Sequence, residues 1–302
     1  MNSQDHSVEY HRRICRAIDF ISSHLADNPT VAEIATAAPF SSFHFQRLFR
    51  ALLGESVAEF TRRIRLETAA RRLRFRSHEE ITGLAMELGF SSSQNFSKAF
   101  KLHFHLSPTE YRRQNSDSEH PNANHQDKLL TTHASRIQVV DGRSIERNVT
   151  VRDCSAIRVV YRRHFGSYNE PGVQTAFDDL QRWADARRLH HEDCYIGIPW
   201  DDTDVTPDKK CRFDACLEID DGVWLGNGVN TQIIPAGRYA VYQSEVIDNN
   251  FDLPWTRLLR VWLAGSGYQP ADGPRFERYH SDGSQDPKGC WDLEIFLPVI
   301  PL

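Results

Sequence analysis

The fold of the front half is decided by Ile81-Thr82-Gly83-Leu84-Ala85-Met86-Glu87-Leu88-Gly89-Phe90-Ser91-Ser92-Ser93-Gln94-Asn95-Phe96-Ser97-Lys98-Ala99-Phe100-Lys101. The apolar spacing from Glu79 to Leu88 predicts a short helix, and Gly89 supplies a turn. Ser91 or Ser92 then caps a second helix that runs to about Phe104. Phe96, Ala99 and Phe100 are spaced to face a core. Ser93, Gln94, Asn95, Lys98 and Lys101 fall on the other face.

Working outward, the stretch has an earlier copy. Val31-Ala32-Glu33-Ile34-Ala35 lies fifty residues before Ile81-Thr82-Gly83-Leu84-Ala85, and Phe40-Ser41-Ser42 precedes Phe90-Ser91-Ser92 by the same offset. After one extra residue in the second copy, Phe45-Gln46-Arg47-Leu48-Phe49-Arg50 faces Phe96-Ser97-Lys98-Ala99-Phe100-Lys101. Ser56 and Phe60 face Ser107 and Tyr111. In the first copy Thr30 caps the short helix and Pro39 breaks it. Ser41 or Ser42 caps the second helix, which stops near Leu53 at Gly54. Phe45, Leu48, Phe49 and Leu52 are spaced toward a core, leaving Phe43, Gln46, Arg47 and Arg50 on the other face.

A long helix over about Val57 to Phe75 joins the two copies and carries six arginines, Arg62, Arg63, Arg65, Arg71, Arg72 and Arg74. At ~1.5 Å per residue it spans just under ~30 Å. That is close to the ~34 Å repeat of duplex DNA, so two second helices can enter successive major grooves on one side. A plain helical bundle with a solvated basic face satisfies the same periodicity.

The whole chain of 302 residues has a net charge of -5, which argues against a nucleic-acid partner if the charge is evenly spread. It is not. Residues 1–113 hold 16 basic and 12 acidic side chains, a net of +4, and the rest hold 20 and 29, a net of -9. A basic front and an acidic back suggest two parts with different partners. No apolar run approaches the ~20 residues that span a bilayer, and the polar start lacks a signal-peptide layout, so a cytoplasmic protein is expected. The six cysteines form no Cys-x-x-Cys pair and no zinc spacing with histidine, so free thiols are expected, without a metal or other cofactor.

Residues 114–135, rich in Asn, Ser, His and Asp around Pro121, read as a linker between a domain at 8–113 and one at 136–302. In the second domain, Gly166-Ser167-Tyr168 precedes a helix with Leu180 and Trp183, and Gly237-Arg238-Tyr239 precedes one with Leu259 and Trp262, an offset of 79 within the helices. Strands are expected at 157–161, 195–198, 213–219, 239–242, 276–279 and 291–297. Each half then reads β-α-β-β, and two halves can join antiparallel sheets around a central cleft.

The front residues resemble the DNA-binding domain of AraC/XylS-type transcription regulators over about residues 8–113. The specific motif is Ile81-x-x-Leu84-Ala85-x-x-x-Gly89-Phe90-Ser91-Ser92-x-x-x-Phe96-Ser97-Lys98-Ala99-Phe100-Lys101, continuing through Ser107-Pro108-x-x-Tyr111-Arg112. His105 stands where that family usually has Gly. The resemblance implies an all-α double helix-turn-helix domain that binds double-stranded DNA. By position it implies base-facing roles for Phe43, Gln46, Arg47, Ser93, Gln94, Asn95 and Lys98. Arg50, Lys101 and Arg112 are the expected phosphate contacts.

The back residues resemble the GyrI-like ligand-binding domain, an α+β fold, over about 145–302. The resemblance rests on Asp201-Asp202, Thr206-Pro207, Cys211-Arg212-Phe213-Asp214-Ala215, Ile234-Pro235-Ala236-Gly237-Arg238-Tyr239, Phe276-Glu277-x-Tyr279 and Leu293-Glu294-Ile295-Phe296-Leu297-Pro298-Val299. The fusion looks like the Rob-like arrangement of multidrug-response activators. It implies a small-molecule effector, with a bulky organic cation as one class, and contact with RNA polymerase. Glu277 shares a strand face with Tyr279, and Glu294 with Phe296, so a carboxylate sits beside an aromatic twice. Tyr168, Tyr195, Trp224, Trp255 and Tyr268 are looser pocket candidates. The leading expectation is a non-enzymatic regulator acting as a monomer or weak dimer. A GyrI-like hydrolase using the same glutamates and a protein-binding module remain as alternatives.

Overall fold

The structure is a computed structural model that describes residues 3–38, 42–76, 78–116, 145, 147–189, 195–223, 225–226, 228–283 and 286–302; the side chains of residues 3–7, 42–44 and 116 are outside that description. The chain divides into two compact units, Met1–Asn122 with Asp202–Lys210, and Ala123–Asp201 with Cys211–Leu302. Most of the linker expected at 114–135 lies outside the described residues.

In the first unit the helices are α1 (Ser3–Ser23), α2 (Val31–Ala37), α3 (Ser42–Leu53), α4 (Val57–Phe75), α5 (Ile81–Glu87), α6 (Ser93–Phe104) and α7 (Pro108–Ser116). Their starts follow from capping. Thr30, Ser56 and Ser107 each accept a backbone N–H three residues on, while Glu33, Glu59 and Glu110 reach back to the cap N–H and hydroxyl. These reciprocal boxes satisfy donors that a helix start leaves open. Ser92 is the residue that caps α6, accepting from the Asn95 N–H at 3.1 Å.

The internal repeat persists in the packing. Phe45, Phe49 and Phe60 pack edge to face with centroids 5.5 Å and 5.5 Å apart, and Phe96, Phe100 and Tyr111 repeat this at 5.5 Å and 5.4 Å. All but Tyr111 are fully buried. The helix stops are equivalent too. The N–H of Gly54 bonds the Arg50 carbonyl and that of His105 bonds the Lys101 carbonyl, each at 2.9 Å, with both residues left-handed at φ 70° and 61°. Leu52 departs from expectation. It is 41% exposed, because the core-facing stripe of α3 is filled by Phe45 and Phe49.

Much of the charge on α4 is consumed inside the unit. Arg63 is buried between Glu55 at 2.6 Å and Glu67 at 3.0 Å, and Arg72 pairs with Glu79 and Glu87, whereas Arg62 is exposed. The basic face of α4 is in these places a set of struts.

The second unit is α+β. Its strands are β1 (Val149–Cys154), β2 (Ile157–Phe165), β3 (Tyr195–Pro199), β4 (Arg212–Glu218), β5 (Asn230–Ile234), β6 (Gly237–Val246), β7 (Tyr268–Pro270), β8 (Phe276–Tyr279) and β9 (Trp291–Pro301). Helix α8 (Pro171–Asp185) starts with proline in its first turn, where the missing N–H costs nothing. The second helical segment is α9 (Asp252–Thr256), a π-helical stretch at Arg257–Trp262, and α10 (Leu263–Gly265).

Strand order is β1-β6-β9-β8-β3-β4-β2-β5, with β7 on β9. Each half supplies β-α-β-β, as expected: β2, α8, β3, β4 and then β6, α9 to α10, β8, β9. The halves join their antiparallel sheets, as expected. They join edge to edge into one antiparallel sheet where Ile196 and Gly197 of β3 pair with Arg278 and Glu277 of β8. Each middle strand thereby satisfies the other's open hydrogen-bonding edge. Strands β1 and β5, which the sequence reading omits, are exchanged: β1 pairs with β6 of the second half and β5 with β2 of the first.

Leu180 and Trp183 of α8 bury against Val160 and Leu217. The expected counterparts Leu259 and Trp262 are only half-buried, and Leu258 and Leu263 take the core. The wider π turn shifts the face by about one residue. On the reverse side of the sheet, fully buried Asp214 accepts from Arg163 at 2.6 Å and 2.7 Å, Trp200 at 2.8 Å and Gln232 at 2.9 Å. Among the described residues, Cys15, Cys154, Cys211, Cys216 and Cys290 are not joined in disulfides, and Cys194 lies outside the described residues.

Candidate functional site

Two surfaces carry chemistry. In the first unit, α3 and α6 are the second helices of the two repeats. Gln46, Arg47 and Arg50 are exposed along α3, and Gln94, Asn95, Lys98 and Lys101 are exposed along α6, with Ser93 half-buried at its start. Their spacings place each set on one helical face. An arginine fork there matches guanine O6 and N7, a glutamine amide matches adenine N6 and N7, and lysines meet phosphate. The side chain of Phe43 lies outside the described residues.

Two expected members have work within the fold. The Asn95 amide donates to the Ser91 hydroxyl at 2.8 Å, so Asn95 also braces the turn before α6. Arg112 is half-buried and donates through Nη2 to the Glu79 carbonyl. That bond ties α7 to the segment before α5.

In the second unit, the site forms at the seam between the halves. Strand register fixes which side chains share a face. Glu277 lies opposite Ile295 and Gly197, and Tyr279 opposite Leu293. Phe213 of β4 has the same orientation, packing under Ala176 and against Phe177 of α8. From the other side, α9 brings Trp255 over β8. The Trp255 indole N–H donates to Glu277 Oε1 at 2.5 Å, and the Tyr279 hydroxyl donates to Oε2 at 2.5 Å.

Further aromatic rings pack around Tyr279, which holds this carboxyl group. Tyr279 packs edge to face on Phe177 at 5.7 Å and lies 5.6 Å from Trp291; Phe251 adds contacts to Tyr279 at 6.4 Å and Trp291 at 5.5 Å. Tyr195 joins through Phe177, and Tyr168 through Phe213. The Arg275 guanidinium lies 5.7 Å from the Trp255 ring centroid and donates to the Asp201 carbonyl at 2.8 Å.

Glu277 is 5% exposed. Burial pushes its pKa up, opposed by the bonds from Tyr279 and Trp255 and by the charge of Arg275. Burial also raises the Tyr279 hydroxyl well above its usual range, reinforced by the neighbouring carboxylate. The pair is therefore a carboxyl group poised against ionisation within an aromatic shell, which an incoming cation would relieve.

The two expected carboxylate–aromatic pairs do not share a site. Phe296 lies opposite Phe276, and Glu294 opposite Arg278, one residue out of phase with Glu277 opposite Ile295. Glu294 and Phe296 therefore point to the reverse face. There Glu294 meets Arg152 at 3.2 Å and His280 at 3.5 Å, and Phe296 stacks on Phe276 at 4.3 Å. Tyr268 of β7 stacks on Trp262 at 6.3 Å, and β7 pairs with β9. Trp224 lies outside the described residues.

Sequence reasoning missed Phe177, Phe213, Phe251, Trp291 and Arg275. Phe213 stands inside a quoted motif and Trp291 opens the strand expected at 291–297, whereas nothing in the sequence reading singles out Phe177, Phe251 or Arg275.

The first unit is thus an AraC-type double helix-turn-helix DNA-binding region, and the second a small-molecule-binding domain of GyrI-like architecture. The description "GyrI-like small molecule binding domain" matches residues 147–300, just over half of the chain, and the chain belongs to that family. A helix-turn-helix domain description matches residues 34–114. The chain is 31% identical over 145 residues to a DNA gyrase inhibitor of Enterobacter lignolyticus, covering 47% of this chain and 90% of that protein. It is 34% identical over 133 residues to a DNA gyrase inhibitor of Salmonella typhimurium, covering 43% and 84%. Among solved structures, the C-terminal domain of AraT, a response regulator from Geobacillus stearothermophilus, is 28% identical with a TM-score of 0.33, covering 38% of this chain and 95% of that one. Among the described residues no helix is long and apolar enough to cross a membrane.

Proposed function

We propose that this transcription regulator is an effector-responsive activator, reading DNA through α3 and α6 and sensing a bulky organic cation at Glu277. The observation that carries the sensing half is the buried Glu277 carboxyl group, held by Trp255 and Tyr279 inside an aromatic shell. A lipophilic cation gains from the ring faces and adds to the charge of Arg275 in favouring ionised Glu277. The DNA half rests on exposed Gln46, Arg47, Gln94 and Lys98, and recruitment of RNA polymerase on the AraC-type resemblance. A double reader engages DNA as a monomer.

The experiment is titration of the full chain with tetraphenylphosphonium and a cationic dye, read by melting temperature and tryptophan fluorescence. Wild type should show a melting shift that Glu277→Gln loses. Equal shifts in both would sink the cation reading. A second reading, in which the second unit holds a protein partner, is favoured by the similarity to proteins named DNA gyrase inhibitor. Binding of purified gyrase by the full chain, undiminished in Glu277→Gln, would support it.

A further inference from the structure

Three separate pieces of the first unit meet at one point: the end of α1, the middle of α4 and the turn between α5 and α6. The last turn of α1 holds no basic residue, and the chain runs on through Leu25 to Asn28 before α2. Arg65, projecting from α4, donates to the Leu25 carbonyl through Nε at 3.0 Å and also through Nη2. A cation from another helix therefore stands at the negative end of α1.

Gly89, the turn residue of the second repeat, comes up against the same point. A Cβ there would lie 2.5 Å from the Leu25 oxygen, 2.8 Å from Arg65 Nη2 and 3.1 Å from the Ala26 oxygen. The approach is backbone to backbone, and only a residue without a side chain permits it. Asn28 closes the contact from the other side. It adopts the left-handed conformation at φ 53° and donates its amide to the Gly89 carbonyl at 3.1 Å.

This junction links the two repeats directly. Helix α1 packs on the first repeat, through α2 and α3, while Gly89 belongs to the second. Without it, the α5–α6 pair would be held to the first repeat through α4, by its side-chain packing and by the Arg72 pairs with Glu79 and Glu87. The Arg72 pairs tie the second repeat to the end of α4, whereas the guanidinium on the Leu25 carbonyl and the amide on the Gly89 carbonyl tie it, with defined angles, to the segment that follows α1.

We infer that Arg65 and Asn28 are positioning residues for DNA reading: their clasp on Leu25 and Gly89 sets the separation and angular phase of α3 and α6, and so the spacing between the two half-sites that the protein accepts. This rests on the DNA-reading function proposed above. Neither residue needs to touch DNA.

The test uses the full chain. Bound sites are selected from random duplex DNA with wild type, then remade with one base pair added or removed between the halves, and with either half scrambled. Failure of wild type to select any bipartite site would end the DNA reading and this inference together. Asn28→Gly keeps the left-handed geometry and removes the amide, and Arg65→Met keeps the stem and removes the donors. Both should bind the natural spacing about tenfold more weakly, the effect of losing roughly 1.4 kcal/mol of directed hydrogen bonding. Their preference for that spacing over the altered ones should shrink by the same factor, with single half-site binding unchanged. Arg65→Lys, which keeps one donor, should restore part of the preference. If the variants weaken all DNAs equally, or keep the wild-type spacing preference, the junction is structural only and the inference is overturned.

Discussion

Gly197 of β3 lies directly opposite Glu277 of β8, and the space where a side chain at 197 would stand is filled by the Tyr279 hydroxyl and the tip of the Phe213 ring. The glycine that joins the two halves thus makes room for the donor that holds the buried carboxyl group. Gly197→Ala should push Tyr279 off Glu277. The expected cost is about 1–3 kcal/mol of stability, as for overpacking in a filled core. Loss of cation-induced melting shift should accompany it, and chemical denaturation with and without tetraphenylphosphonium measures both.

The raised pKa of Glu277 gives stability a definite pH dependence. The folded state keeps the proton at pH values where the unfolded chain has released it. Stability from this group is therefore highest below the ordinary carboxylate range and falls as pH rises from about 4.5 toward the raised folded value. Glu277→Gln should remove that fall. Binding of a cation should favour the ionised form, release a proton and tighten as pH rises through the same window. Calorimetric titrations in buffers of different ionisation enthalpy count the proton.

His105 ends α6 in the left-handed conformation that Gly54 adopts at the equivalent place. A β-carbon is strained there and glycine is not. His105→Gly should stabilise the chain by about 0.5–1 kcal/mol, the lost strain being partly offset by a more flexible unfolded chain. A rise in melting temperature without change in DNA affinity is the expected result.

On the DNA surface, base readers and phosphate contacts should separate. Arg47→Ala should cost about 1–3 kcal/mol on the selected site and relax preference at one position. Lys101→Ala should weaken binding to all sequences alike and reduce the salt slope by about one. Gel shifts at several salt concentrations distinguish the two.

The legible part of the protein is the part governed by local rules. The cap at Thr30, a cap at Ser91 or Ser92, the bounds of α4 at Val57 and Phe75, and the aromatic repeat from Phe45 to Tyr111 all follow from spacing along one chain, whereas the caps at Ser56 and Ser107 show only in the structure. The naming of Glu277 and Tyr279 as candidates, with Trp255 as a looser one, came from the GyrI-like resemblance, without their contacts. What could not be read was which face a strand turns inward once a second strand sets its register. Glu294 looked equivalent to Glu277, yet its partner across the ladder is Arg278 and its side chain goes to the reverse face. The π-helical turn before Trp262 shifts a face by the same kind of one-residue slip.

Charge tells the same story. The excess of basic residues in the front third was visible, but the fate of each was not. Arg63 is buried against Glu55 and Glu67, Arg65 closes the end of α1, and Arg112 turns to the Glu79 carbonyl, whereas Arg47, Lys98 and Lys101 lie exposed.

By itself, then, the sequence determined two units, a duplicated helical reader and a duplicated α+β domain, because helix periodicity, caps and turn glycines act over a few residues. Only the tertiary structure decided that the α+β halves fuse at Gly197 and Glu277 into one sheet, and that Trp255 of α9 and Tyr279 meet on the Glu277 carboxyl group while rings from α8 and β9 pack on Tyr279. Strand pairing and side-chain burial are contacts between residues far apart in the chain, and their register is chosen by the whole packed sheet.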